Sequence, residues 1–239
     1  MGRQRCDLHR RPVTPGVYSN LNIAGACTLS AGAVTVQHNL TVLPGASLVG
    51  RIGGLGVKPP SPDLTVDGNL DVQENATLNL GCEPTAYKCL NDSGPAPGTL
   101  ATRHTIGGNL TAENAYAVIV HHTGIGGNVT VSGGGGGVSC GFAHYGDFED
   151  DIIGGDLTIT GWQSCWLGIF RDSIMHNVYF NNNTVADPDG NESANNTILG
   201  DLHCSGNSPS PHTGDSAGGP SVVVGNASGQ CNSPGLVVP

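Results

Sequence analysis

The stretch "IGGNLTAE" at residues 106–113 returns almost unchanged as "IGGNVTVS" at residues 125–132, nineteen positions further along the chain. The shared pattern is an apolar residue, a two-residue corner that is often Gly-Gly, Asn or Asp, and then alternating apolar and polar residues. Nine stretches match it, and they begin at residues 17, 36, 66, 106, 125, 153, 174, 198 and 223. The starts lie 19 to 40 residues apart. This spacing indicates stacked repeats of about twenty residues with variable insertions, and the longest interval has room for two repeats.

Each phrase predicts one corner and one short strand. After the Asn or Asp the chain alternates apolar, polar, apolar, as in "LTA" at residues 110–112 and "VTV" at residues 129–131. That period is typical of a strand with one buried face. We expect the preceding Gly-Gly pair to turn the chain, because glycine accepts a positive φ without a Cβ clash.

The Asn or Asp of the phrase recurs in every repeat. Such side chains hydrogen-bond readily to nearby backbone groups. If successive repeats stack as coils, these side chains lie one above another, and the sequence therefore predicts a structural ladder. Its members are Asn20, Asn39, Asn69, Asn109, Asn128, Asp156, Asn177, Asp201 and Asn226.

These patterns predict an all-β fold, specifically a right-handed parallel β-helix, or β-solenoid, of roughly 9 to 11 irregular coils. Residues 1–16 are interpreted as an N-terminal cap or leader-proximal segment, 17–231 as the solenoid and 232–239 as a C-terminal tail. The irregular coils and the Asn-bearing corner resemble the pectate-lyase-like right-handed β-helix. The "GGN(L/V)TV" phrases also resemble secreted repeat proteins of high-GC bacteria, which implies a fold and an export route but no catalytic residues.

Composition supports an all-β chain and excludes some partners. The 239 residues include 38 Gly and 15 Pro, and only 12% are charged, which disfavours helices. The formal net charge is -10. A nucleic-acid partner is not expected, because phosphate backbones require a basic face. No apolar run approaches the roughly eighteen residues of a membrane span.

The eight cysteines predict disulfides and a secreted, extracellular protein, because they are even in number and form no C-x-x-C motif. The first residues contain basic side chains but no apolar leader segment, so we expect that a leader is missing from this chain or that its start is misassigned. Pairing of nearest neighbours in the sequence is preferred, and would join Cys6 with Cys27, Cys82 with Cys89, Cys140 with Cys165, and Cys204 with Cys231.

One acidic run is the candidate for catalysis. Asp147, Glu149, Asp150 and Asp151 lie just before a repeat strand, and paired carboxylates are the groups that hydrolyse glycosidic bonds. The "GHG" and "RIK" signatures of polygalacturonase-like enzymes are absent, so a solvated acidic loop is the simpler interpretation. The stretch "GDSAGGP" at residues 214–220 resembles a serine-protease nucleophile motif, but the inserted Ala217 would disturb its oxyanion hole.

Two stretches suggest metal binding. Asp187, Asp189 and Asn191 alternate oxygen ligands in the manner of a Ca²⁺ loop, although Gly190 precedes the third ligand and a simple turn explains the stretch equally well. The adjacent His121 and His122 suggest a transition metal, but scattered surface histidines are commoner. We expect no cofactor, with Ca²⁺ as the alternative.

The sequence favours a secreted, non-catalytic structural, surface or binding protein whose partners are polysaccharide or cell-surface components. A polysaccharide hydrolase or lyase is the enzymatic alternative. An ice-binding or adhesin-like protein is a further one, because the outward strand positions contain several threonines. Asp71, Tyr179 and His203 interrupt that rank, and threonine suits exposed strand positions in any case.

Overall fold

The computed structural model describes residues 2–6, 12–51, 62–81, 104–141, 145–214 and 219–232, with the backbone alone for 2–6 and 51. Within these ranges the chain forms strands, numbered β1 to β28 in chain order, and no helix. No helix in this part of the chain could span a membrane. Three long sets of parallel strands, here called the first, second and third sheets, contain nearly all of the strands.

The first sheet has nine strands, and each pairs in parallel with the next. From β5 onward its strands end on a buried Val or Ile, such as Ile106 and Ile125. The strands are β3 (Gly16–Tyr18), β5 (Gly32–Val36), β8 (Pro62–Val66), β11 (His104–Ile106), β14 (Thr123–Ile125), β17 (Ile152–Ile153), β21 (Ser173–Ile174), β25 (Thr197–Ile198) and β27 (Val222–Val223).

The second sheet contains the strands that the repeated phrase predicts. Its apolar positions, such as Leu110 and Ala112, are buried, whereas Thr111 between them is partly exposed. The strands are β1 (Gly2–Cys6), the start of β4 (Leu21–Leu29), β6 (Leu40–Val42), β9 (Leu70–Val72), β12 (Leu110–Glu113), β15 (Val129–Ser132), β18 (Leu157–Thr160), β22 (Val178–Asn181), β26 (Leu202–Ser205) and β28 (Ala227–Gly229).

The third sheet was not evident from the phrase itself. Strand β4 continues into it, and a separate two-stranded sheet is formed by β19 (Gln163–Ser164) and β23 (Thr184–Val185). The strands of the third sheet are β2 (Pro12–Val13), the end of β4, β7 (Ser47–Arg51), β10 (Thr77–Gly81), β13 (Ala117–His121), β16 (Tyr145–Glu149), β20 (Trp166–Phe170) and β24 (Asn191–Ala194).

The chain visits the three sheets in a constant order. Strands β11, β12 and β13 belong to the first, second and third sheets, and β14, β15 and β16 pair with them in the same order. One coil therefore separates the two quoted phrases. The 40-residue interval also holds a single coil, because β12 pairs directly with β9. The predicted all-β class and long parallel sheets are confirmed, and the arrangement is compatible with a parallel β-helix.

Buried residues from all three sheets join in one hydrophobic cluster. Its largest members include Trp162, Phe148 and Phe180, all with 1% of their surface exposed or less. Alternation along the strands puts these side chains on one side of each sheet. Apolar burial of this extent is the dominant favourable contribution to folding.

The Gly-Gly corners differ from the prediction. Gly108 and Gly127 do not have positive φ values. A Cβ on Gly127 would instead lie 2.3 Å from Oδ1 of Asn109 and 2.9 Å from the carbonyl oxygen of Gly108. Glycine is therefore used here for the close approach of the neighbouring coil, and not for an unusual backbone conformation.

Hydrogen bonds connect the nine residues that were expected to form a ladder. From Asn39 onward, the backbone N–H of each member donates to the side-chain oxygen of the member before it, at 2.8 to 3.2 Å. A second, buried ladder follows the second sheet. There the N–H groups of Trp162, Asn183 and Asn207 donate to side-chain oxygens of Asn183, Asn207 and Gln230.

Two disulfides with both cysteines among the described residues link neighbouring coils. Cys140 is bonded to Cys165, and Cys204 to Cys231, with Cα–Cα distances of 4.6 and 5.3 Å. These are two of the four pairs expected from nearest-neighbour spacing. Cys27 is also disulfide-bonded. Cys82, Cys89 and the side chain of Cys6 lie outside the described residues, as do residues 1, 7–11 and 233–239.

Candidate functional site

The outward side of the third sheet carries an unusual set of side chains. Phe148 of β16 points into the hydrophobic cluster, so alternation directs Tyr145, Asp147 and Glu149 to the opposite side. The register places Glu149 beside His121 of β13. We call this surface the third-sheet outer face, and its central residues are Tyr145, Asp147 and Glu149 with His121, Trp166, Phe170 and Glu192.

Two acids and a histidine meet on this face. Nε2 of His121 lies 2.9 Å from Oδ2 of Asp147, and the two residues are 1% and 5% exposed. Glu149 lies close to this pair, and one nitrogen or carboxylate oxygen from each of the three residues lies within 4.8 Å of the other two. The second oxygen of Asp147, Oδ1, is buried and has no hydrogen-bond partner among the described residues. A buried carboxylate oxygen without a donor is costly.

Arg171 closes one side of this cluster. Its Nη2 donates to Oε2 of Glu149 at 2.7 Å, and its Nε and Nη2 donate to the two oxygens of Asp150, both at 3.0 Å. Arg171 and Asp150 occupy equivalent corners after β20 and β16, and both have a φ of 56°. Bidentate pairing of this kind is strong and directional, so Asp150 serves to hold Arg171 and is not free to act on a substrate.

Asp151 lies inside the molecule and belongs to a third ladder. Its Oδ1 accepts from the N–H of Thr123 at 2.7 Å, and its own N–H donates to Oδ1 of Asp172 at 2.8 Å. The N–H of Asp172 donates to Asn196, whose N–H donates to Ser221. Burial raises the pKa of both aspartates well above the usual range, and the carboxyl of Asp172 raises that of Asp151 further.

Aromatic rings occupy the outer face beside the acids. The rings of Trp166 and Phe170 stack 5.5 Å apart above Gly168, where a Cβ would meet both rings at 2.3 Å. Tyr145 contacts Trp166 edge to face at 6.2 Å. Nε1 of Trp166 donates to Oε1 of Glu192 at 3.0 Å. Phe170 and Glu192 are only 2% and 3% exposed, so the partly exposed rings of Trp166 and Tyr145 provide the accessible aromatic surface.

No family model, curated protein or solved structure matches this chain. Inference about function therefore rests on the residues themselves.

The structure separates the four carboxylates proposed for catalysis. Asp147 and Glu149 share the outer face, Asp150 pairs with Arg171 at the corner, and Asp151 lies in the interior ladder. Reasoning from the sequence missed Trp166 and Glu192. The alternation of residues in β16 and β20 was a usable signal for outward-facing side chains. The two strands could be aligned with each other only once the lengths of the coils were known.

The proposed Ca²⁺ stretch forms a turn. Oδ1 of Asp187 accepts from the N–H of Asp189 at 3.1 Å, and the carbonyl of Asp187 accepts from the N–H of Gly190. Asn191 is buried on β24, and its Nδ2 donates to the carbonyl of Pro209. Oδ1 of Asp189 lies 3.4 Å from Nδ1 of His212. The three side chains thus make different local contacts.

The outward-facing residues of the second sheet form a row that includes several threonines but is interrupted by other residue types. Thr111, Thr130 and Thr158 lie in register on adjacent strands. In the next coils the rings of Tyr179 and His203 stack 5.2 Å apart, and Nδ1 of His203 lies 2.7 Å from Oγ of Ser228. Of the "GDSAGGP" stretch, residues 215–218 lie outside the described part of the chain.

Proposed function

We propose that this chain is a secreted right-handed parallel β-solenoid that binds a polysaccharide on its third-sheet outer face without cleaving it. Right-handedness is supported by a general rule: connections between parallel strands of one sheet are right-handed in about 98% of cases. Secretion is supported by the disulfides Cys140–Cys165 and Cys204–Cys231, because such bonds persist in oxidising compartments.

The observation that carries the binding proposal is the aromatic patch around Gly168. Gly168 has no side chain among the outward-facing residues of the third sheet, and the rings of Trp166 and Phe170 fill the space above it. Sugar rings present C–H faces that pack on exposed aromatic surface. Buried Glu192, 3% exposed, holds the indole of Trp166 in place through Nε1. Trp166 and Tyr145 are partly exposed, so a sugar can reach both side chains.

The engaged carboxylates favour binding over catalysis. Glycoside hydrolysis needs one acid to protonate the leaving group and a second to act as base or nucleophile. Asp147 bonds to His121, and Glu149 bonds to Arg171. Both acids are thus already held by basic partners.

The test is affinity electrophoresis of the chain through gels containing a panel of acidic and neutral polysaccharides. We expect at least one polysaccharide to retard the chain, and Trp166→Ala to weaken that retardation at least tenfold. Tyr179→Ala is the matched control, because it removes a partly exposed aromatic ring from the second sheet. Equal retardation of both variants, or no retardation of the unmodified chain, would reject the proposal.

One observation favours hydrolysis as a second candidate. Asp147 and Glu192 both lie in register with Gly168, one on each side. Two strand spacings separate their backbones by about 9 to 10 Å, near the carboxyl separation of inverting glycosidases. Release of reducing sugar from the polysaccharide that binds, abolished by both Asp147→Asn and Glu192→Gln, would replace the non-catalytic proposal with this one.

A further inference from the structure

We propose that His121, Asp147 and Glu149 form a binding site for one divalent transition-metal ion, with Zn²⁺ as the representative. This site goes beyond polysaccharide binding and does not depend on it. The three residues come from two adjacent strands: Asp147 and Glu149 are two residues apart on β16, and His121 lies beside Glu149 on β13. Strand geometry therefore points all three side chains to the same outward region.

The distances suit a shared ion. Two ligands that each lie about 2.0 to 2.2 Å from one Zn²⁺ are separated by at most about 4.4 Å. Nε2 of His121 and Oδ2 of Asp147 are already 2.9 Å apart, and one ligand atom from each of the three residues lies within 4.8 Å of the other two. A small rotation of the partly exposed Glu149 side chain completes a three-ligand set and leaves a position for water.

A separate observation points to a missing cation. Oδ1 of Asp147 is buried and has no hydrogen-bond partner among the described residues. An ion beside this carboxylate compensates for the burial of that oxygen. Glu149 and Asp150 share the guanidinium of Arg171, whereas Asp147 is bonded to His121.

The ligand types select the class of metal. Imidazole nitrogen together with carboxylate oxygen suits Zn²⁺ and neighbouring transition ions, whereas Ca²⁺ takes oxygen ligands alone. Arg171 holds Oε2 of Glu149 and thereby orients that carboxylate, as outer hydrogen bonds commonly do for metal ligands. The expected ion therefore differs from the Ca²⁺ suggested by the Asp187, Asp189 and Asn191 stretch.

Isothermal titration of the metal-stripped chain with Zn²⁺ alone, without polysaccharide, tests the site. We expect one Zn²⁺ to bind per chain, and binding to weaken at least a hundredfold in Asp147→Asn and His121→Gln. His203→Gln is the matched control, because His203 also faces an aspartate, Asp201, at 3.7 Å but on the more exposed second sheet. The control is expected to bind Zn²⁺ like the unmodified chain.

Glu149→Gln keeps the experiment decisive if the buried variants do not fold, because Glu149 is partly exposed. We expect it to weaken Zn²⁺ binding at least tenfold while circular dichroism stays unchanged. Retained affinity in a folded Glu149→Gln or Asp147→Asn variant would overturn the proposal, and so would failure of the unmodified chain to bind Zn²⁺. Loss of binding in His203→Gln alone would show that surface histidines take the ion instead.

Discussion

Oδ1 of Asn109 accepts a hydrogen bond of 2.8 Å from the backbone N–H of Asn128, one coil further along the chain. The same bond recurs between neighbouring members of the exposed ladder. Asp156 and Asp201 occupy the position as well as Asn does, and their Oδ1 atoms accept at 2.9 and 2.8 Å. The ladder thus requires a side-chain acceptor, and not an amide as such.

Asn109→Ala is expected to destabilise the chain by about 1 kcal/mol, because the N–H of Asn128 loses its acceptor. Asn109→Asp retains the acceptor and is expected to stay within about 0.5 kcal/mol of the unmodified chain. Urea unfolding followed by circular dichroism measures both values. Equal losses in the two variants would show that the amide, and not the acceptor oxygen, is what the ladder needs.

Gly127→Ala is expected to destabilise the chain by about 1 to 3 kcal/mol, because its Cβ would lie 2.3 Å from Oδ1 of Asn109. His38 and His176 hold the equivalent position in other coils, so local adjustment should prevent complete unfolding. Gly124→Ala is the control, since no atom lies within 4 Å of a Cβ there. Thermal melting of both variants checks the prediction, and a similar melting temperature would contradict it.

Asp172→Asn is expected to raise stability at pH 7 by about 1 kcal/mol or more. Asn196, the next member of that ladder, donates from Nδ2 to the carbonyl of Ile169, which lies in register with Phe148. An amide at position 172 can donate to Phe148 in the same way, whereas an ionised carboxylate cannot. The measurement is urea unfolding at several pH values.

The pH dependence has a definite sign. Burial raises the folded-state pKa of Asp172, so above about pH 4 the unfolded chain releases a proton that the folded chain keeps. This contribution to stability is fully present below pH 4 and declines as pH rises toward the folded pKa. We expect the free energy of unfolding of Asp172→Asn to fall less steeply with rising pH, because this group no longer titrates. Asp67→Asn removes an equal charge from an exposed position, and a flattening as large in this control would contradict the assignment.

Because of buried His104, we expect the free energy of unfolding to decrease in mild acid. The buried ring accepts from the N–H of Leu64 at Nδ1 and lies 2.9 Å from the carbonyl of Gly50 at Nε2, so the neutral ring donates from Nε2. Burial lowers its pKa. Stability is fully present above about pH 6.5 and falls as pH decreases toward the folded pKa, because only the unfolded ring takes up a proton.

His104→Gln is expected to cost about 1 to 2 kcal/mol at pH 7.5 and to flatten the decline between pH 7.5 and pH 5. His176→Gln is the control, since His176 is exposed. Guanidinium unfolding at both pH values compares the variants. An unchanged pH slope in His104→Gln would show that this histidine does not titrate differently in the folded chain.

Sequence reasoning succeeded where the signal is local. Alternation around Leu110 and Val129 predicts the strands of the second sheet, because a strand's buried face depends on neighbours two residues away. The strands of the third sheet have no common sequence phrase, as a comparison of Tyr145–Glu149 with Asn191–Ala194 shows. Their equivalence exists only in the register between coils. The sequence showed that glycines occupy the corners. It did not show why, because the atom that excludes a Cβ is an Asn side-chain oxygen one coil away.

The period of the phrase and its alternation determined the all-β class, the parallel stacking and the positions of the exposed Asn ladder, because each depends on contacts repeated in every coil. Only the tertiary structure brought His121 beside Asp147 and placed Trp166 over Gly168 next to them. Stacked strands lie about 4.8 Å apart, so residues one coil apart touch whatever their sequence separation. Because the repeat starts are 19 to 40 residues apart, the sequence does not reveal which outward side chains meet.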